Sequence, residues 1–342
     1  LGALASFGIF AVLLAAVGGV AWWSFSTHGL LLDPVLPGLA LILAFVLSSI
    51  VHHLAAERRG RWIREAFSRY VSPNLVEHLI RNPHGLELGG KRQVCSFVFT
   101  DLAGFTGLME KMDPAEAVSL LNVYLDRMIS IAFDHHGTLD RIVGDAVAIM
   151  FSAPVVQADH QQRALDCAMD MQRFASGYAA ELAGRGVAFC QTRIGVHTGE
   201  VIVGNFGGAT MFDFRALGDA VNTASRLEGA NKQLGTLVCI SRAALDGCAG
   251  APARPIGQVL LQGKKNPIEV FEPLGPDLAS ASRTAYLESY EQAYEQMRMG
   301  IGAALQAFEN LARQAPQDAL VAMHLARLKA GATNDLIVLA HK

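Results

Sequence analysis

Val94-Cys-Ser-Phe-Val-Phe-Thr-Asp101-Leu-Ala-Gly104-Phe-Thr106 is the stretch around which the chain is organised. Residues 94–100 are mostly apolar and β-prone, as expected of a strand in a covered sheet. The strand delivers one acid, Asp101, at its end. Small residues follow, then the hydroxyl of Thr106, before a long helical pattern begins. A carboxylate at the end of a buried strand, beside a glycine turn that opens a helix, can hold a hard cation against a phosphate. Taken alone, the same junction also fits an aspartate that merely caps a helix.

Two further stretches bear on that choice. Arg141-Ile-Val-Gly-Asp145-Ala carries a second acid in a Gly-Asp pair that suits a tight hairpin turn. If the hairpin tip lies beside the end of the first strand, Asp101 and Asp145 can share ions, since adjacent strands are ~4.8 Å apart. Leu217-Gly-Asp-Ala-Val-Asn222-Thr-Ala-Ser-Arg226 reads as a helix on which Asn222 and Arg226, four apart, share a face. An amide beside a guanidinium can bind a sugar oxygen and a transferring phosphate, or form an ordinary surface pair.

The 342 residues suggest about two domains plus accessories, and a net charge of −3 with no basic face excludes a nucleic-acid binder. Mean hydropathy is +0.30, and the apolar excess sits at the front. Residues 5–24 and 35–53 are each near the ~20 residues that cross a bilayer, with Trp22 and Trp23 placed for an interfacial belt. A helical hairpin buried in a soluble core is the alternative. Arg58, Arg59, Arg61, Arg64 and Arg69 favour a cytoplasmic side after the second span. No basic n-region marks a signal peptide. The Leu1 start implies a natural N-terminus, and an extracytoplasmic sensor, upstream. Five scattered cysteines without a C-x-x-C pair read as core residues in a reducing compartment.

The order of elements is mixed. A strand (94–100), a helix (114–135), a hairpin (138–151) and a helix (158–185) come first. Strands at 187–197 and 200–206, a helix (218–233) and short strands near 236–240, 257–262 and 268–273 follow. This predicts an α+β fold of ferredoxin-like kind with a largely antiparallel sheet, rather than a doubly wound one. The expected partition is two membrane helices (1–56), a helical coupler (57–90), a catalytic domain (91–275) and a helical tail (276–342). In the coupler Trp62, Ile63, Phe67, Tyr70 and Val71 recur at helical spacing before Pro73 restarts a helix with Leu75, Val76 and Leu79 inward. In the tail Ala304-x-x-x-Phe308 with Pro316 beyond resembles one tetratricopeptide-type unit, which must pack on something, or a generic amphipathic tail.

Together the three constellations resemble class III nucleotide cyclases, the adenylate and guanylate cyclase family, over roughly residues 61–275. The spans, the stretch Phe67-Ser-Arg-Tyr-Val-Ser-Pro73 and the tail resemble bacterial members that carry a CHASE2 sensor. The resemblance implies that Asp101 and Asp145, with the Leu102 carbonyl, ligate two Mg²⁺ or Mn²⁺ ions. It implies that amides around Gly104, Phe105 and Thr106 cradle a triphosphate, that Asn222 orients the ribose, that Arg226 stabilises the transition state and that Arg193 approaches the phosphates. The implied reaction turns ATP into cyclic AMP and pyrophosphate at a head-to-tail homodimer interface, on the cytoplasmic side of the inner membrane.

Three positions depart from the family pattern. Purine choice rests on two residues, each three before a motif glycine: usually Lys with Asp or Thr for adenine, Glu with a small residue for guanine. Here they are Arg141 and Arg215. Arg141 keeps a donor for adenine N1, whereas Arg215 offers no acceptor for the adenine amino group and suits guanine O6. The usual triphosphate lysine is Gln262, and Lys264, two residues on, is expected on the same face of a strand. GTP use, mixed specificity and an inactive dimerising regulatory module are therefore the alternatives to an ATP cyclase.

Overall fold

The computed structural model describes residues 3–67, 72–82, 87–208, 210–275 and 281–339, and divides into two units, Leu1–Tyr70 and Val71–Lys342. The first contains two helices, α1 (Ala3–His28) and α2 (Val35–Phe67). They meet through a stacked Phe10–Phe45 pair with ring centroids 4.5 Å apart. Ser6–His28 and Val35–Ala55 are long and apolar enough to cross a membrane. Side chains such as Trp22, Leu36 and Leu43 stand exposed along them, unlike the interior of a soluble hairpin. The side-chain pattern expected at Trp62, Ile63, Phe67, Tyr70 and Val71 lies outside the described residues.

The second unit opens with α3 (Pro73–Arg81), started by Pro73 as expected, with Leu75 buried. Its first half holds β1 (Gly89–Leu102), α4 (Phe105–Met109), α5 (Pro114–Asp134), β2 (Thr138–Val143), β3 (Ala146–Phe151) and α6 (His160–Gly184). Then come β4 (Thr192–Gly207), β5 (Phe212–Leu217), α7 (Asp219–Leu234), β6 (Val238–Ser241) and α8 (Arg242–Leu245). β7 (Ala253–Leu260), β8 (Ile268–Pro273), α9 (Ala281–Arg298), α10 (Ala304–Gln314), α11 (Ala319–Lys329) and β9 (Leu336–Val338) complete it. The result is an α+β domain on one nine-stranded sheet of order β2-β3-β1-β4-β6-β8-β7-β9, with β5 pairing β4. Most pairs are antiparallel, but β4 with β6 and β7 with β9 are parallel.

β1 is the centre. It pairs with β4 from Gly89↔Asn205 to Leu102↔Thr192 and with β3 on its other side. Its alternate residues feed two cores, which is why Cys95–Val98 is buried without a break. Val98 and Leu102 join Tyr124, Met128, Cys167 and Met171 under α5 and α6. Cys95 and Phe97 join Met150, Val201, Val203, Ala220 and Ala224 under α7. α7 lies directly on β4, because a Cβ at Gly195 would collide with the backbone at Ala224 and Glu228.

Three details differ from the sequence reading. Residues 187–191 are not strand, and the two strands expected at 187–197 and 200–206 are one, β4, running through Gly199. β5 went unpredicted, although Phe212-Asp-Phe214-Arg-Ala216 alternates apolar and polar residues as a strand does. The third lies at residues 261–264, which form a turn rather than a strand, with Gly263 at φ +74° and the Lys264 amide donating to the Leu261 carbonyl at 3.0 Å.

The C-terminal helices share a core with the helix before them. Tyr290, Met297, Phe308, Leu311 and Leu320 pack with Leu227 and Leu234 of α7 and with Ile256 and Val259 of β7. Arg254 of β7 bridges to Glu272 at 2.6 Å and to Asp318 at the start of α11. Phe308 is fully buried in this cluster. Phe308→Ala should therefore cost about 3–5 kcal/mol of stability, read as a lowered thermal midpoint of the detergent-solubilised chain; an unchanged midpoint would show the helices to be loosely attached.

Candidate active site

Asp101 and Leu102 are the last two residues of β1, facing Arg193 and Thr192 of β4. The hairpin β2–β3 turns at Gly144-Asp145 and returns beside β1, with Thr100 opposite Val147. That register carries the Asp145 side chain to the strand end, where its Oδ2 accepts from the Leu102 amide at 3.1 Å. Both acids are half-buried. Their charge is felt behind the strand. Burial first, and then Asp145 and Asp101, push the Tyr124 hydroxyl and the Cys190 thiol upward.

The chain leaves β1 through Gly104, held in the left-handed region at φ +88°, where an L side chain would be strained. Gly107 and Leu108 donate back to its carbonyl at 3.0 and 3.3 Å. The Phe105 and Thr106 amides thus belong to the first turn of α4, where N–H groups have no partner inside the helix. A Cβ at Gly104 would meet no atom within 4 Å, so the space over the turn is open. Two carboxylates and this turn are thereby brought together, with oxygen donors of the type hard divalent cations prefer.

A second cluster forms on α7. Asn222 is exposed and Arg226 half-buried, one turn apart. The β7–β8 turn lies across this helix. A Cβ at Gly263 would stand 3.5 Å from an Arg226 terminal nitrogen, and the Lys264 ammonium bonds the Asp219 carboxylate. Lys264 holds the Asp219 carboxyl below its usual range. The turn, rather than strand alternation, is what carries Lys264 to this helix. Beneath it, His197 Nδ1 lies 2.7 Å from Ser241 Oγ. Four residues of β4, about 13 Å of strand, separate His197 from Arg193, the neighbour of Asp101. The acids stand at the end of β1 and at the β2–β3 tip, whereas Asn222 and Arg226 stand on α7. Arg193 also lines a cavity shared with Asn231, Lys232 and Tyr286.

Arg141 and Arg215 each carry an acid of their own. Arg141 Nε donates to Asp140 Oδ2 at 2.6 Å. Arg215 Nε lies 3.5 Å from Asp213 Oδ2. β5, which bears Arg215, contacts β2, which bears Arg141. The sequence reading missed Asp140, Asp213 and Asp219. The first two stand one and two residues from the arginine they serve, a spacing that was available as a signal.

The family model for the adenylate and guanylate cyclase catalytic domain matches residues 90–271. Adenylate cyclase 1 of Rhizobium meliloti is 34% identical over 224 residues, 64% of this chain and 33% of that protein. Adenylate cyclase of Anabaena cylindrica is 28% identical over 221 residues, 61% of this chain and 42% of that protein. The chain thus spans well under half the length of these curated relatives. The crystal structure of the adenylyl cyclase CyaB from P. aeruginosa aligns with a TM-score of 0.51 at 30% identity, covering 55% of this chain and 97% of that one. A bacterial light-regulated adenylyl cyclase shares the fold, with a TM-score of 0.55 at 23% identity over 66% of this chain and 64% of its own.

Burial, and then the Lys264 charge, lower His197 to about 4. An unfolded chain takes up that proton near 6.5, so between about 6.5 and 4 the unfolded state binds more protons and stability falls as pH falls. The expected loss across that window is about 2–3 kcal/mol. His197→Asn should flatten the difference between thermal midpoints at pH 7 and pH 5; an undiminished difference would place the acid sensitivity elsewhere.

Proposed function

Since the chain belongs to the class III adenylate and guanylate cyclase family, we propose that it is a membrane-anchored cyclase that converts ATP to 3′,5′-cyclic AMP and pyrophosphate. The reading rests on one observation above the others. The Asp145 carboxylate is hydrogen-bonded at the end of the strand that carries Asp101, beside the open Gly104 turn. Asp101 and Asp145, with the Leu102 carbonyl, would hold two Mg²⁺ or Mn²⁺ ions, which supply neutralising charge and a lower pKa at the 3′-hydroxyl.

The protein's own groups then divide the work. Amides at Gly104, Phe105 and Thr106 receive the triphosphate. Lys264, exchanging exposed Asp219 for phosphate, stands in for the cation missing at Gln262, and Arg193 approaches the same charge. Asn222 orients the ribose. The 3′-oxygen, losing its proton, attacks the α-phosphorus, and the bond to the β-phosphate oxygen breaks to release pyrophosphate. Arg226 stabilises the charge that develops on the transferring phosphoryl group. Arg141 and Arg215 meet the base.

Membership of the cyclase family supports a head-to-tail homodimer, in which the acids of one copy face the Asn222/Arg226 pair of the other. The two apolar helices and the basic run after the second support an inner-membrane anchor with a cytoplasmic catalytic domain. Arg215 favours a second reading, a guanylate or mixed-specificity cyclase, because guanine O6 accepts from arginine where the adenine amino group cannot.

The detergent-solubilised dimer with Mn²⁺ or Mg²⁺ is expected to release cyclic AMP from ATP, assayed beside GTP. Asp101→Ala should abolish turnover, and Arg226→Ala should lower kcat by about 10²–10³. Retained activity in Asp101→Ala would sink the metal assignment. A dimer that releases no product from either nucleotide would instead be a module that signals by contact.

A further inference from the structure

β2 and β3 pair regularly at Thr138↔Met150 and Leu139↔Ile149, then the register skips a residue and Arg141 stands opposite Ala148. Asp140 is the extra residue of a β-bulge. Side chains alternate along a strand, so without it Arg141 would follow Leu139 onto the face that packs with Ile149 under α5 and α6. The bulge turns Arg141 instead to the face of Ala148, which lies opposite Phe99 on the α7 side. Re-aiming one side chain is what such bulges do beside sites.

Asp140 then fixes the arginine it has turned. Its side chain is 2% exposed against 35% for Arg141, and the two are joined at 2.6 Å. Its other oxygen, Oδ1, is buried without a hydrogen-bond partner among the described residues. A carboxylate this deep with a single partner is costly for stability, and an arginine with only a surface to cover does not need one. With Nε engaged, the planar fork is left to present its Nη edge in a set direction. Arg215 is held far more loosely, by an Asp213 side chain that is 62% exposed.

We infer that Asp140 is the positioning residue through which this chain discriminates between purines: bulge and carboxylate together aim the Arg141 guanidinium at the base edge. The inference rests on the cyclase reading for what Arg141 meets. It is tested by binding rather than turnover, using 3′-deoxy-ATP and 3′-deoxy-GTP, which lack the attacking hydroxyl. The full chain is titrated with each in Mg²⁺, as wild type, Asp140→Asn, Arg141→Ala and the double variant. Asp140→Asn should move the ratio of the two Kd values about tenfold toward unity, the worth of one charge-assisted hydrogen bond. Arg141→Ala should do the same, and the double variant no more.

An unchanged ratio in Asp140→Asn overturns the inference. So does equal weakening for both bases, a further loss on top of Arg141→Ala, or a wild type that does not discriminate. Should Asp140→Asn fail to fold, Arg141→Lys, which keeps the charge without the fork, must collapse the ratio; a wild-type ratio there overturns it too. A wild type that discriminates in binding yet turns over neither ATP nor GTP would sink the cyclase reading and leave Asp140 in its role.

Discussion

The close approach of α7 to β4 is the constraint on which the rest depends. Only glycine at 195 lets the helix backbone rest on β4, and that contact sets the height of everything the helix carries. From it follow the depth of the Ala220/Ala224 seam, the reach of Asn222 and Arg226, and the room for the β7–β8 turn above them. The same strand pairs with β1 and so fixes Asp101 opposite Arg193. One ladder therefore sets the spacing of two groups that lie far apart in sequence.

The cations around the site are not equivalent. Lys264 is matched by Asp219, which is 68% exposed, so water and any incoming anion compete for it on nearly even terms. Arg141 is matched by a carboxylate almost wholly removed from water, where breaking the pair would leave a buried charge unanswered. The first pair is built to exchange partners and the second to keep them. Under the proposed function, phosphate recognition would be adaptable in this molecule and base recognition set by the fold.

Much of this could be read from the residues. The mostly apolar run before Asp101 announced a covered strand, and Gly144-Asp145 announced a hairpin, but only the fold brings the hairpin's tip to that strand's end. The i, i+4 spacing of Asn222 and Arg226 placed them on one helix face, as observed. What escaped the sequence depends on contacts between distant segments. β4 runs through Gly199 because β1 pairs along its whole length, which no local pattern encodes. The bulge at Asp140 is visible only against the register of β3. Lys264 reaches α7 through a turn with a positive-φ glycine, where a two-residue alternation has no meaning.

The helices after residue 275 give the molecule a boundary that its family membership does not. The family match ends at residue 271, yet Leu227, Leu234 and Val259 lie inside that match and find their packing partners in Tyr290, Phe308 and Leu320 beyond it. The inherited module and the cooperative folding unit are therefore different objects in this chain. Substitutions at the buried positions of α9, α10 and α11 are not free to drift like those of an appended tail, because they are also substitutions in the foundation of the helix that bears Asn222 and Arg226.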